Sequence, residues 1–135
     1  MDADERRFEH SDLTQKIIGD FYEVYNELGH GFLESVYEAA MTKALRDAGL
    51  RAERQWPVEV RFRGEVVGEF RADVLVEGCV IIEIKAARAL DSAHEAQVLN
   101  YLRATPIEVG LLMNFGPKPE FRRFAFANNR KVGRS

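Results

Sequence analysis

Asp73, Glu83 and Lys85 are the residues of this chain whose types and spacing can do chemistry. Side chains two apart in a strand share a face, so Glu83 and Lys85 of Glu83-Ile84-Lys85 project together while Ile82 and Ile84 turn the other way. A charged pair in so apolar a run is costly to desolvate unless it lines a cleft or has partners. Asp73, flanked by Arg71, lies on the preceding strand and supplies a second carboxylate. Two adjacent carboxylates disfavour joint ionisation, and a hard cation relieves that repulsion. Mg²⁺ (or Mn²⁺) held by Asp73 and Glu83 would polarise a phosphate and activate water, with Lys85 orienting or deprotonating the attacking water. The competing reading is a surface ladder of ion pairs across neighbouring strands.

Register decides whether the carboxylates meet. A two-residue turn at Glu77-Gly78 sets Asp73 opposite Ile82 and turns Glu83 to the other face. A three-residue loop, Glu77 to Cys79, or a bulge elsewhere, sets Asp73 opposite Glu83 and Arg71 opposite Lys85. Hydrophobicity does not choose, because both faces are apolar near the turn. The chemistry favours the odd register.

Two helices carry further candidates. His94, Gln97 and Tyr101 fall at i, i+3 and i+7 and share a helix face, while Ala96, Leu99 and Leu102 are expected against the sheet. Gln97 and Tyr101 could bind a phosphate or a water of the metal shell; an ordinary exposed helix face is the alternative. Arg71 and His94 complete the candidate substrate-binding set. Glu34 is expected in the first turn of a helix, where a carboxylate favours the dipole. It could also act as a third acid at the metal.

The elements that must position these residues follow from periodicity. Ser11 or Asp12 can cap a helix with the stripe Leu13, Ile17, Phe21, Val24 and Leu28. Gly29-His30-Gly31 interrupts it, and a second helix carries Leu33, Val36, Tyr37, Ala40, Met41, Ala44 and Leu45, with Gly49 beyond its end. Strands are expected at Trp56 to Phe62, Val66 to Val76 and Cys79 to Lys85, then a helix from Ala93 to Arg103. Glu108 to Phe115 and Phe121 to Phe126 complete a single mixed α/β domain with the order α-α-β-β-β-α-β-β. Segments 1–11 and 128–135 are expected to be loose tails.

Composition narrows the function classes. The 135 residues are 46% hydrophobic and 30% charged, which suits one globular domain. One cysteine, Cys79, excludes an intrachain disulfide and a cysteine zinc site and points to a reducing, cytoplasmic setting. No apolar run is long enough to span a membrane. By itself the net charge of −3 argues against a nucleic-acid partner. However, acid is concentrated near the N-terminus, and Arg122, Arg123, Arg130, Lys131 and Arg134 follow Phe121 with no acid among them. That basic segment can hold phosphate or be a solvated tail. Phe8, Tyr22, Tyr25, Phe32 and Phe115 exceed what a small core must bury, which leaves a homo-oligomer or a protein partner open.

Taken together, Glu34, Asp73, Glu83-x-Lys85 and Gln97-x₃-Tyr101 resemble the PD-(D/E)xK nuclease superfamily, and the last pair resembles its RecB-like and Cas4-like exonuclease branch. Gly31-x-x-Glu34-x-x-Tyr37, Arg71-x-Asp73, His94-x-x-Gln97 and Gly110 to Gly116 narrow the resemblance to the small prokaryotic GxxExxY proteins. The resemblance implies a restriction-endonuclease-like core and divalent-metal hydrolysis of phosphodiesters, of DNA more than RNA. It makes Asp73 and Glu83 metal ligands, Lys85 the catalytic lysine, Glu34 an accessory acid, and Gln97 and Tyr101 supporting residues. A non-catalytic nucleic-acid-binding or adaptor subunit with the same fold is the alternative expectation.

Overall fold

The computed structural model describes residues 3–131, with side chains from Ser11 onward. Two helices, α1 (Ala3–Leu28) and α2 (Glu34–Asp47), precede strands β1 (Ala52–Phe62), β2 (Glu65–Val76) and β3 (Val80–Lys85). Helix α3 (Ser92–Ala104) leads to β4 (Val109–Phe115) and β5 (Pro119–Ala125). The observed order is the expected one. The sheet runs β1-β2-β3-β4-β5, antiparallel except where β3 and β4 pair in parallel across the α3 crossover.

Both faces of β3 and β4 are covered, which explains their unbroken apolar runs. On one face Ile17, Phe21, Tyr37, Met41 and Leu45 of α1 and α2 pack on Val74, Ile82, Ile84, Leu111 and Met113. On the other, Tyr101 and Leu102 of α3 pack with Val58, Ala72, Leu75 and Ile81. Glu83, odd-numbered like Ile81, starts from this α3 face, and Asp73 stands between Ala72 and Leu75, where the α3-facing positions of β2 change parity.

Several boundaries differ from expectation. Helix α1 begins at Ala3 and not at Ser11, because Ser11 is inside the helix and its carbonyl accepts from Thr14 Oγ1 at 2.9 Å. The side chains of residues 3–10, including the N-terminal acids and Phe8, lie outside the described set, as does Arg134. Leu33 and Val36 are exposed, so the buried stripe of α2 starts at Tyr37. Gly31, at φ +113°, takes a conformation closed to other residues and lets the chain reverse between α1 and α2. Tyr37 fixes that turn: its hydroxyl donates to Gly29 O at 2.6 Å and accepts from Phe32 N at 3.2 Å. On α3 the sheet-facing residues are Val98, Tyr101 and Leu102, while Ala96 is exposed. Residues Asn128–Arg130 form a 3₁₀ turn, and Lys131 Nζ donates to Thr105 O and Ile107 O at 2.8 and 2.7 Å. Up to Lys131 the expected C-terminal tail is therefore docked on the end of α3.

The segment after β3 is held by Asn114 at the end of β4. Its side chain donates to Ala87 O at 2.9 Å and accepts from Ala87 N at 2.8 Å. Gly116 permits this approach, since a Cβ there would stand 2.3 Å from Ala87 O and 2.8 Å from Asn114 Nδ2. Gly116→Ala is expected to destabilise the protein by about 1–3 kcal/mol, as overpacking against backbone does. Gly19→Ala, in open space on α1, should instead stabilise by roughly 0.5–1 kcal/mol. Urea denaturation of both variants checks the contrast, and equal stabilities would refute it.

Candidate metal centre

The β2–β3 ladder is short. It pairs Val76 with Val80, Leu75 with Ile81 and Val74 with Ile82 around the three-residue loop Glu77-Gly78-Cys79. That is the odd register. The next pair in sequence would be Asp73 with Glu83, and there the backbone ladder ends. Two carboxylates take its place. Glu83 Oε1 accepts from Asp73 N at 3.0 Å, and Asp73 Oδ2 accepts from Ile84 N at 2.7 Å. Each carboxylate thus engages one oxygen with the opposite backbone, and the two carboxyl groups also meet each other through a side-chain hydrogen bond. Lys85, two residues on, continues from the same face of β3, which stays paired with β4 through Asn114.

On its other side β2 stays with β1, but the pairing skips Gln55 opposite Asp73. Gln55 has φ +54°, an uncommon value for a residue with a side chain. The β1–β2 ribbon therefore bends where it parts from β3. Glu38 holds the bend. It is buried on α2 and accepts from Arg54 Nε at 2.9 Å and from Gln55 Nε2 at 2.7 Å, with Arg54 Nη2 at 2.8 Å. Arg71 Nη1 donates to Gln55 O at 3.0 Å, so this expected substrate-binding group is engaged in the ribbon. Sequence reasoning missed Glu38. The signal available was an acid one helical turn after Glu34, on the face that Met41 and Leu45 bury.

Burial and mutual repulsion govern the electrostatics. Burial raises the Asp73 carboxyl to about 6, opposed by the hydrogen bond from Ile84; Glu38 and Glu34 push it up and Lys85 pulls it down. Glu83 is 2% exposed, and burial followed by the Asp73 charge raises it to about 8, against the Asp73 N–H and Lys85. The pair is close enough for one proton to serve both acids. Burial, then Glu83, also raises the Tyr101 hydroxyl. Tyr101 accepts from Gln97 Nε2 at 3.1 Å, and its hydroxyl lies within electrostatic range of Glu83 and Asp73.

Glu34 and His94 are placed differently. Glu34 is exposed at the start of α2, within electrostatic range of Asp73. Among the described residues no three His, Cys, Asp or Glu side chains converge as a metal cluster, so Glu34 does not join the pair directly. His94 closes the cap of α3, donating its N–H to Asp91 Oδ1 at 3.0 Å while its Nδ1 accepts from Asp91 N at 3.2 Å. The hydrogen bond from His94 N, foremost, lowers Asp91, and Lys85 contributes. The basic residues after Phe121 are largely engaged in the fold as well. Arg122 pairs with Glu95 at 2.8 Å, and Arg130 lies 5.7 Å from the Phe126 ring.

This donor set fits a hard divalent cation that keeps most of its water, since two adjacent carboxyls whose shared proton a cation can replace suit Mg²⁺ better than a full protein cage does.

A family model described as the PD-(D/E)XK nuclease superfamily matches residues 11–124. The chain belongs to the PD-(D/E)XK nuclease superfamily. Members of this superfamily generally use divalent metal ions such as Mg²⁺. The crystal structure of SSO0001 shares the fold, with a TM-score of 0.53 at 20% identity over 91% of this chain. The chain spans 62% of the length of that structure. No curated protein matches the sequence significantly. No helix among the described residues is long and apolar enough to cross a membrane.

Raised carboxyl values in a PD-(D/E)XK fold have a measurable sign. Unfolded Asp and Glu titrate near 4, whereas here the values are about 6 and about 8, so the folded state holds more protons in between. In EDTA, stability should fall as pH rises from about 5 to about 8. Mg²⁺ or Mn²⁺, replacing those protons, should raise the melting temperature, and more so toward pH of about 8. Glu83→Gln should flatten the pH slope and abolish the metal effect. Thermal melts across pH with and without metal test this, and a flat profile with no metal response would refute it.

Proposed function

We propose that this protein is a Mg²⁺- or Mn²⁺-dependent nuclease that hydrolyses phosphodiester bonds, with DNA preferred over RNA by analogy with its resemblance to GxxExxY and RecB-like proteins. The observation that carries the reading is the replacement of two backbone hydrogen bonds by Asp73 and Glu83 at the point where β2 leaves β3. A sheet that needed only stability would continue its ladder. This one ends it with buried acids that repel each other.

Asp73 and Glu83 would hold the ion in place of the proton that the two carboxyls share. When bound, it supplies charge for the scissile phosphate and lowers the pKa of water. Lys85 carries an ammonium that draws both acids toward ionisation. From that position it orients the attacking water and donates to a non-bridging phosphoryl oxygen as negative charge develops. Gln97 fixes the Tyr101 hydroxyl, whose proton burial and Glu83 retain, so Tyr101 serves as a donor to phosphate. Glu34 is the accessory acid, near enough to bias Asp73 and exposed enough to reach solvent around the site.

Purified protein should cleave DNA with Mg²⁺ or Mn²⁺ and not in EDTA, as read by gel electrophoresis of labelled substrates. Lys85→Ala should slow cleavage by about a hundredfold or more while retaining the melting response to metal. Cleavage unchanged in Lys85→Ala, or persisting in EDTA, would refute the assignment. An inert wild type that binds nucleic acid would instead support an adaptor role for the fold.

A further inference from the structure

Beyond the metal pair, a groove of about 940 Å³ lies between the β1–β2 ribbon and α3. Trp56 and Phe70 line the ribbon side and Tyr101 the helix side. The Phe70 and Tyr101 rings stand 6.1 Å apart at 43°, and Phe70 is half exposed. Arg61, paired at 3.0 Å with Glu59, which also lines the groove, and Asn100 and Arg103 add polar groups. Tyr101 is shared with the candidate metal centre, since its hydroxyl meets Gln97 and feels the Glu83 and Asp73 charges. The groove thus shares Gln97 and Tyr101 with the candidate site.

We infer that this groove binds single-stranded nucleic acid, with unstacked bases against Trp56 and Phe70 and the backbone led past Tyr101 toward Asp73 and Glu83. Aromatic faces recognise base faces, and a duplex hides those faces in its own stack. Duplex binding draws instead on a broad run of cations along the phosphates. Here the chain is net −3, Arg122 is paired with Glu95, and Lys131 is docked on backbone carbonyls. A purely apolar partner would leave the Arg103 guanidinium and Asn100, which bond each other at 3.1 Å, without a role at the groove. Phosphates and base edges use both. The direction of the strand rests on the nuclease reading; occupancy of the groove does not.

Trp56 is the chain's single tryptophan, so its fluorescence reports the groove directly. Titration in EDTA, where no cleavage is expected, compares short oligothymidylate, oligouridylate and a duplex of equal length. Saturable quenching by a single strand and not by the duplex is expected, and the relative strength of the two single strands distinguishes DNA from RNA. Phe70→Ala should weaken binding about tenfold and Phe70→Tyr should restore it. Asp73→Asn should abolish cleavage in Mg²⁺ yet leave quenching nearly unchanged. Absent quenching, equal quenching by duplex, or a folded Phe70→Ala that binds as wild type would overturn the inference, even if cleavage is observed. Quenching by single strands in a protein that never cleaves would support the groove and count against the nuclease reading alone.

Discussion

The fold depends on one exchange, in which carboxylate oxygens replace backbone carbonyls between Asp73 and Glu83. A buried backbone N–H needs an acceptor, and a sheet normally provides it by continuing the ladder. Here Asp73 N and Ile84 N are satisfied by side chains, so β2 can leave β3 without orphaning either group. Everything around the site is arranged for that departure. Glu38 supports Arg54 and Gln55 at the bend, Arg71 ties across it, and Asn114 fixes the chain after β3. The same oxygens that close the ladder are also buried enough to resist ionisation, which couples the architecture of the sheet to the affinity of the site for positive charge.

Much of this was legible in the residues. The 3.6 and 2.0 periodicities separate helices from strands here because the buried positions are dense and Gly-rich turns divide them. The odd register could be argued from chemistry, because only that parity brings two acids together where hydrophobicity is silent. The trio Asp73, Glu83 and Lys85 stood out because charge in an apolar strand has few other uses.

What was not legible depended on partners distant in sequence. Glu38 reads as a helix-surface acid until Arg54 and Gln55 arrive from β1. His94 shares a helical face with Gln97 and Tyr101, but its place three residues after Asp91 commits it to the cap, a local bond that competes with any role at the site. Ser11 is a good helix start by type, yet the helix passes through it, since a cap preference is a modest term that flanking turns override. The basic run after Phe121 could be seen, but not that Glu95 and the end of α3 would engage it.

The bend at Gln55 and Asp73 also has a mechanical meaning. The distal ribbon, tipped by Arg63-Gly64, joins β3 at its base, where the last β2–β3 backbone pair is Val74 with Ile82. A lever pivoting there moves most at its tip and least at its fulcrum. The two acids sit at that fulcrum. Displacement of the tip would therefore move the acids least, and Val58, packed on α3 beyond the fulcrum, ties the near part of the ribbon down.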